Sequence, residues 1–109
     1  MIDKQRLEDA KAGNVKEQFS VGMYYYEGAF GLGENIDYKK ALFWLTKAAE
    51  QGHVKSQHSV GFMHYKGEGT QIDYETAFHW YTKAAEQGHT PSQNNLGCLY
   101  RDGRGVTED

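Results

Sequence analysis

Only one cysteine, no long apolar run and no excess of charge of one sign are found in this 109-residue chain. Cys98 stands alone, which excludes an internal disulfide and a cysteine-based zinc cluster and leaves the redox compartment open. Fifteen acidic residues against twelve basic ones, mixed in sign and summing to -3, make no field that would gather nucleic acid or anionic lipid. No segment approaches the roughly 18 consecutive apolar residues of a membrane span, and MIDKQRLEDA lacks the apolar centre of a secretory signal. The expectation is a soluble chain with no nucleic-acid or membrane partner and no compartment written on it. At this length and with 39% hydrophobic residues, there is room for one modest core.

What is present is repetition. TKAAEQGH occurs at Thr46–His53 and again at Thr82–His89, 36 positions later. The match extends outward: IDYKKALFWLTKAAEQGH from Ile36 parallels IDYETAFHWYTKAAEQGH from Ile72. EQFSVGMYYYEG from Glu17 parallels SQHSVGFMHYKG from Ser56 and SQNNLGCLYRDG from Ser92. The first copy has AFGLGEN where the second has EGTQ, three extra loop residues, so the period is 39 and then 36. RLEDAKAG resembles the tail of an earlier copy, and VTED stops where another second helix would begin. The expected division is a partial repeat over 1–13, repeat one over 14–52, repeat two over 53–88 and a partial repeat three over 89–109.

A period in this range marks stacked supersecondary units that bury their apolar faces only against neighbours. Ala41, Trp44, Ala48 and Gly52, then Ala77, Trp80, Ala84 and Gly88, step by three and four along one helical stripe. Asp37 and Asp73 are expected N-caps, and Gly52 and Gly88 expected left-handed C-terminal residues. In the other block of each repeat, Thr90 is the expected N-cap, Pro91 the first helical residue and Gln93 the partner in a capping box. Gly28, Gly67 and Gly103 end those helices. Each repeat is therefore helix A, a glycine-bearing loop and helix B.

Gly22, Gly61 and Gly97 lie inside helix A, where glycine costs about 1 kcal/mol relative to alanine. Close approach to the small face of helix B, Ala41 with Ala48 and Ala77 with Ala84, is the expected compensation.

These residues carry a resemblance. Val21-Gly22, Tyr25 and Gly28; Val60-Gly61 and Gly67, with His64 in the aromatic place; and Leu96-Gly97, Tyr100 and Gly103, followed by the DY..A..W..KAAEQG pattern, resemble the Sel1-like repeat, a relative of the tetratricopeptide repeat. The resemblance covers nearly the whole chain. It implies an all-α fold, a right-handed α–α superhelix (solenoid) of about two and a half helix-turn-helix repeats. It also implies a non-catalytic scaffold or adaptor that binds a protein or peptide, with no cofactor and no metal.

Chemical motifs are weak. GAFGLG, from Gly28 to Gly33, has the glycines of a phosphate loop without its lysine and hydroxyl, and it follows a helix. His53 and His89 are repeat-equivalent residues after a cap, while His58, His64 and His79 lack the i, i+4 spacing of a helical metal site. Glu50 and Glu86 recur because the scaffold recurs, as solvated helix face. Cysteine-rich members of the resembled family are linked to cell-wall or β-lactam chemistry, with a disulfide clasping each helix pair; a chain with Cys98 alone departs from that branch.

The resemblance to tetratricopeptide repeats places partner-binding positions on helix A, three before the internal glycine and one, four and five after it. They are Phe19, Met23, Tyr26 and Glu27; His58, Phe62, Tyr65 and Lys66; and Asn94, Cys98, Arg101 and Asp102. The ladder runs from aromatic and sulfur-bearing to polar and charged, which suits peptide anchoring followed by hydrogen-bond recognition. The alternative is that Phe19, Met23, Phe62 and Tyr65 simply pack against neighbouring repeats. A second function stays open: Leu96, Leu99 and Tyr100, with no helix B over them, would expose apolar surface for further repeats or for a homo-oligomer. Phe30 and Leu32 in the insertion offer one more contact.

Overall fold

The structure, a computed structural model, describes residues 2–28 and 36–104. Phe30, Leu32, the glycines after Gly28 in the GAFGLG stretch, and VTED lie outside the described residues. Six helices follow one another: α1 (Lys4–Lys11), α2 (Val15–Glu27), α3 (Tyr38–Glu50), α4 (Val54–Lys66), α5 (Tyr74–Glu86) and α6 (Thr90–Asp102), with no strand among the described residues. Each packs on the next, and the stack is elongated, 50 × 26 × 19 Å. Helices α2, α4 and α6 take the A role; α1, α3 and α5 take the B role.

Local chemistry sets the helix ends. The Asp37 carboxylate accepts from the Lys40 amide at 3.1 Å, and Asp73 accepts from the Thr76 amide at 3.0 Å and its hydroxyl at 2.7 Å. Both satisfy amides that the first turn leaves open. At the other end of α3, Gly52 has φ 92° and donates to Ala49 O, while the His53 amide reaches back to Ala48 O at 3.2 Å. Gly88 and His89 repeat this pair of bonds at the end of α5. That is a Schellman ending, in which only glycine takes the left-handed step without strain.

His53 then begins the next helix. Its Nδ1 accepts from the Ser56 amide at 3.3 Å and lies 2.7 Å from Ser56 Oγ. The expectation for Thr90 is corrected in the same way: His89 is the N-cap of α6, Thr90 is its first helical residue and Pro91 its second. The Schellman turn is so tight that the residue after its glycine already stands at the helix start. Gln93 does not close a capping box; its Nε2 donates to Ala85 O at 3.1 Å.

The core forms three clusters along the stack. Ala10, Val21 and Trp44 make the first. Ala41, Leu45, Ala49, Val60 and Met63 make the second, and Ala77, Tyr81 and Leu99 the third. Two of the mid-helix glycines, Gly22 and Gly61, sit at close contacts with helix B. A Cβ at Gly22 would lie 2.6 Å from Leu45 Cγ, and one at Gly61 would lie 2.9 Å from the Tyr81 ring and 3.3 Å from Ala77 O. Large B-helix side chains, Leu45 and Tyr81, fill the notches, and at Gly61 the backbone of Ala77 comes close as well. Burying such a side chain contributes about 1.5–3 kcal/mol, which exceeds the roughly 1 kcal/mol that the glycine costs.

Glutamines tie one hairpin to the next. Gln18 Nε2 donates to Ala10 O and Gln57 Nε2 to Ala49 O. Each then accepts from the end of its own hairpin, Gln18 Oε1 from Gln51 and Gln57 Oε1 from Gln87, both at 2.7 Å. Gln18 and Gln57 are buried, so each of these bonds satisfies a polar group that water cannot reach.

The apolar end expected at Leu96, Leu99 and Tyr100 is only partly there. Leu99 occupies the place of Met63 one repeat on and is 1% exposed against Ala77 and Tyr81, because α6 lies flat on α5. Leu96 is half-buried, and Tyr100 is exposed.

Candidate functional site

Along α2, the side chains of Phe19, Met23 and Tyr26 fall at steps of four and three, so they share one stripe of the helix. Equivalent stripes on α4 and α6 lie beside it, and the three form one surface with hollows between them. Met23, Tyr26, His58, Ser59 and Phe62 line a pocket of about 230 Å³ between α2 and α4. Phe62, Tyr65, Tyr81, Asn95 and Cys98 line one of about 130 Å³ between α4 and α6. Phe62 is the wall shared by both. Phe19 belongs to a third, shallower hollow with Lys16, Ser20, Gly52, His53, Val54 and Lys55.

Of the twelve residues expected at partner positions, seven line these hollows: Phe19, Met23, Tyr26, His58, Phe62, Tyr65 and Cys98. Glu27, Lys66, Asn94, Arg101 and Asp102 are exposed and line none of the three. The Arg101 guanidinium lies 3.6 Å from the Asp102 carboxylate and within 3.5 Å of Cys98 Sγ. Packing and groove turn out not to be exclusive. Phe19, Met23 and Tyr26 lean on the second core cluster, Phe62 and Tyr65 on the third, and all five keep part of their surface open.

Counting from the glycine missed the position two before it. Ser20, Ser59 and Asn95 occupy it, small and polar in every repeat, and each lines a hollow. Tyr81 was missed because it belongs to helix B; buried against Gly61, it forms part of the wall of the hollow between α4 and α6.

Electrostatics fix the lining. Tyr26 O–H donates to Glu68 Oε1 at 2.8 Å, and burial, then the Glu68 carboxylate, hold its phenol protonated well above the usual tyrosine range. Burial pushes the Tyr81 phenol up to about 12. His58 Nδ1 lies 2.8 Å from Ser92 Oγ, and its ring sits 4.9 Å from that of His89. Burial, then the neighbouring His89, lowers the His58 pKa below its ordinary value, so the ring is neutral at neutral pH. Arg104 Nη1 donates to Tyr65 Oη at 3.1 Å, and its guanidinium lies over the Tyr74 ring at 4.9 Å. The hollows therefore present uncharged aromatic, sulfur and hydroxyl groups, with lysines Lys16 and Lys55 at one end.

Among the described residues, no group of three or more His, Cys, Asp or Glu side chains could hold a metal ion, and no helix is long and apolar enough to cross a membrane.

Comparison with known proteins places the scaffold. The Sel1 repeat family matches three stretches, 18–53, 54–89 and 90–109. A crystal structure of c5321, a protective antigen present in uropathogenic Escherichia coli strains and displaying an SLR fold, superposes with a TM-score of 0.85 at 34% identity. That match covers all of this chain and 23% of the antigen. A Sel1 repeat protein from Oxalobacter formigenes superposes at 0.86 with 36% identity, over 95% of this chain and 42% of that one. This chain thus spans less than half the length of either. No curated protein matches it. Three matched repeats in one continuous stack of all-α hairpins, close to two solved structures of the same architecture, make this chain a member of the Sel1 repeat family.

Proposed function

We propose that the chain is a non-catalytic protein-interaction scaffold that holds a peptide or partner helix along the face formed by α2, α4 and α6. The observation that carries this reading is the run of two adjoining hollows with Phe62 as their common wall. Their lining of methionine, phenylalanine and tyrosine with scattered hydroxyl and amide groups suits anchoring of apolar side chains beside a few oriented hydrogen bonds. A protein-interaction role is typical of the family, and this reading extends it to a particular face.

An enzymatic reading meets a specific obstacle. His53 with Ser56, and His58 and His89 with Ser92, have the spacing of base and nucleophile. Both serines are 0% exposed, beyond the reach of a substrate; Ser56 Oγ meets the N-cap of its own helix, and Ser92 Oγ meets His89 at its helix start and His58 of α4.

The test is a pull-down with the chain as bait, followed by affinity measurement on the captured partner. Phe62→Ala and Tyr65→Ala should each weaken binding by more than about 1 kcal/mol. If both variants lower Tm and leave affinity unchanged, these side chains serve packing alone and the groove reading fails.

A further inference from the structure

The larger of the two hollows that share Phe62, about 230 Å³ between α2 and α4, has a hydrogen-bonding character set by residues behind its wall. At the start of α4, His53 Nδ1 accepts from the Ser56 amide at 3.3 Å, so it carries no proton, and the Ser56 hydroxyl donates to it at 2.7 Å. His89 holds the same N-cap place on α6, with the hydroxyl contact kept, 2.7 Å to Ser92 Oγ, and no amide bond. The open amides of a helix start favour a lone pair there over an N–H. Ser92 therefore gives its one proton to His89. His58 Nδ1 also lies 2.8 Å from Ser92 Oγ, and with that proton already placed it can only donate.

Burial, then the neighbouring His89, keeps His58 neutral, so a proton on Nδ1 leaves Nε2 a bare acceptor. No described residue bonds to Nε2, it is not an enclosed atom, and His58 lines the hollow. Tyr26 is arranged in the same sense: its O–H donates to Glu68, which leaves the phenol oxygen to accept. Glu68 itself is not in the lining. Met23 and Phe62 are apolar, and the Ser59 hydroxyl can donate or accept. The hollow thus holds fixed acceptors, no fixed donor and no charged side chain. Repeat one has Phe19 in the place of His58, packed on His53 with ring centroids 4.7 Å apart, so this acceptor is not a property of the repeat.

Side chains that donate without accepting are those of lysine, arginine and tryptophan, and of these only tryptophan is uncharged. A cation would leave water for a wall without a carboxylate, at a large desolvation cost. We propose that this hollow receives a tryptophan side chain of the partner segment, its indole N–H donating to His58 Nε2 and its rings lying against Met23, Tyr26 and Phe62. This rests on the groove reading above and names what one part of the groove recognises. A volume of about 230 Å³ suits a single large side chain, being smaller than the roughly 300–1,000 Å³ of whole small-molecule sites. Thioether and aromatic walls favour an indole, and tryptophan is among the residues that anchor interfaces most strongly. A second copy of the chain does not supply it, because Trp44 and Trp80 are packed into the first and second core clusters of their own stack.

The probes are N-acetyl-L-tryptophanamide and its analogue methylated on the indole nitrogen, titrated into the whole chain isotope-labelled at methionine methyls and histidine nitrogens. Long-range proton–nitrogen spectra of the free chain should show His58 protonated at Nδ1 and His89 at Nε2. The tryptophanamide should move the Met23 methyl saturably and leave the buried Met63 methyl in place. Methylation of the indole should weaken binding about fivefold or more, the contribution of one hydrogen bond. His58→Phe, a ring that repeat one accepts at the same place, should bring the two probes to equal affinity with Tm unchanged. His58 protonated at Nε2, no saturable shift at Met23, or equal affinities in the unmodified chain overturns the proposal. A preference for the unmethylated probe that survives His58→Phe reports the bulk of the methyl group and overturns the role of His58. Tighter binding of Nα-acetyl-L-lysinamide overturns the choice of side chain. Phe62→Ala with a captured partner tests the groove reading separately, and that reading stands if only the tryptophan pocket fails.

Discussion

Leu45 occupies the space that a side chain at Gly22 would need, and Tyr81 stands in the same relation to Gly61. The third member of the series, Gly97, has no such neighbour among the described residues. One substitution should therefore act in opposite directions in one chain. Gly22→Ala and Gly61→Ala force Leu45 or Tyr81 to move and are expected to cost about 1–3 kcal/mol, the usual penalty of overpacking. Gly97→Ala should stabilise by up to about 1 kcal/mol through helix propensity alone. Urea denaturation of the three variants checks both signs.

Acid should loosen the stack. Burial lowers the pKa of His53, His58 and His64, with Lys55 beside the first and His89 beside the second adding to the shift; Asp73 opposes it at the third. The unfolded chain takes up these protons near pH 6.5 and the folded chain only below that. Between those values the unfolded state binds more protons, so stability rises with pH. The contribution is complete above about pH 6.5 and is lost as pH falls through the lowered folded values. Tm measured from pH 7.5 to 5 should fall, and His58→Gln should flatten part of the decline.

Removing one glutamine of the inter-hairpin chain should be costly only where it is buried. Gln57→Ala removes two hydrogen bonds at a buried position, the one to Ala49 O and the one from the Gln87 amide, and is expected to destabilise by about 1–3 kcal/mol. Gln93→Ala, exposed and with a single bond to Ala85, should cost under about 1 kcal/mol. Guanidinium titrations of the two variants separate the cases.

The groove can be closed without touching the core. Ser59 is half-buried in the pocket beside Met23, Tyr26 and Phe62, and a tryptophan there would fill it. Ser59→Trp should abolish binding of a captured partner while Tm moves by less than about 0.5 kcal/mol equivalent, as for surface changes. Retained binding would place the partner elsewhere on the chain.

Much of this architecture is legible in the letters because its determinants are local. An aspartate before an apolar stripe caps a helix through its own neighbours, so Asp37 and Asp73 could be assigned without a structure. Helix starts after QGH were harder. Thr90 has the better capping propensity, yet the Schellman turn at Gly88 hands the position to His89. The apolar lining of the groove followed from spacing along one helix, whereas Ser59 and Asn95 carry no apolar signal and Tyr81 arrives from another element. Gln18, Gln57 and Gln93 recur four residues before each internal glycine. That regularity is visible in the sequence, but its meaning depends on partners 30 or more residues away.

His53 serves two helices at once, its amide finishing α3 and its imidazole starting α4, and His89 does the same between α5 and α6 through its amide and its contact with Ser92. No spare chain exists at these junctions. A single inserted residue there would part the closing bond from the opening one and turn the later hairpin off its axis. The three-residue length difference between repeats falls instead in the connection that ends at Asp37. Growth in loop length is thus channelled to one side of the stack, leaving the other side a rigid spine.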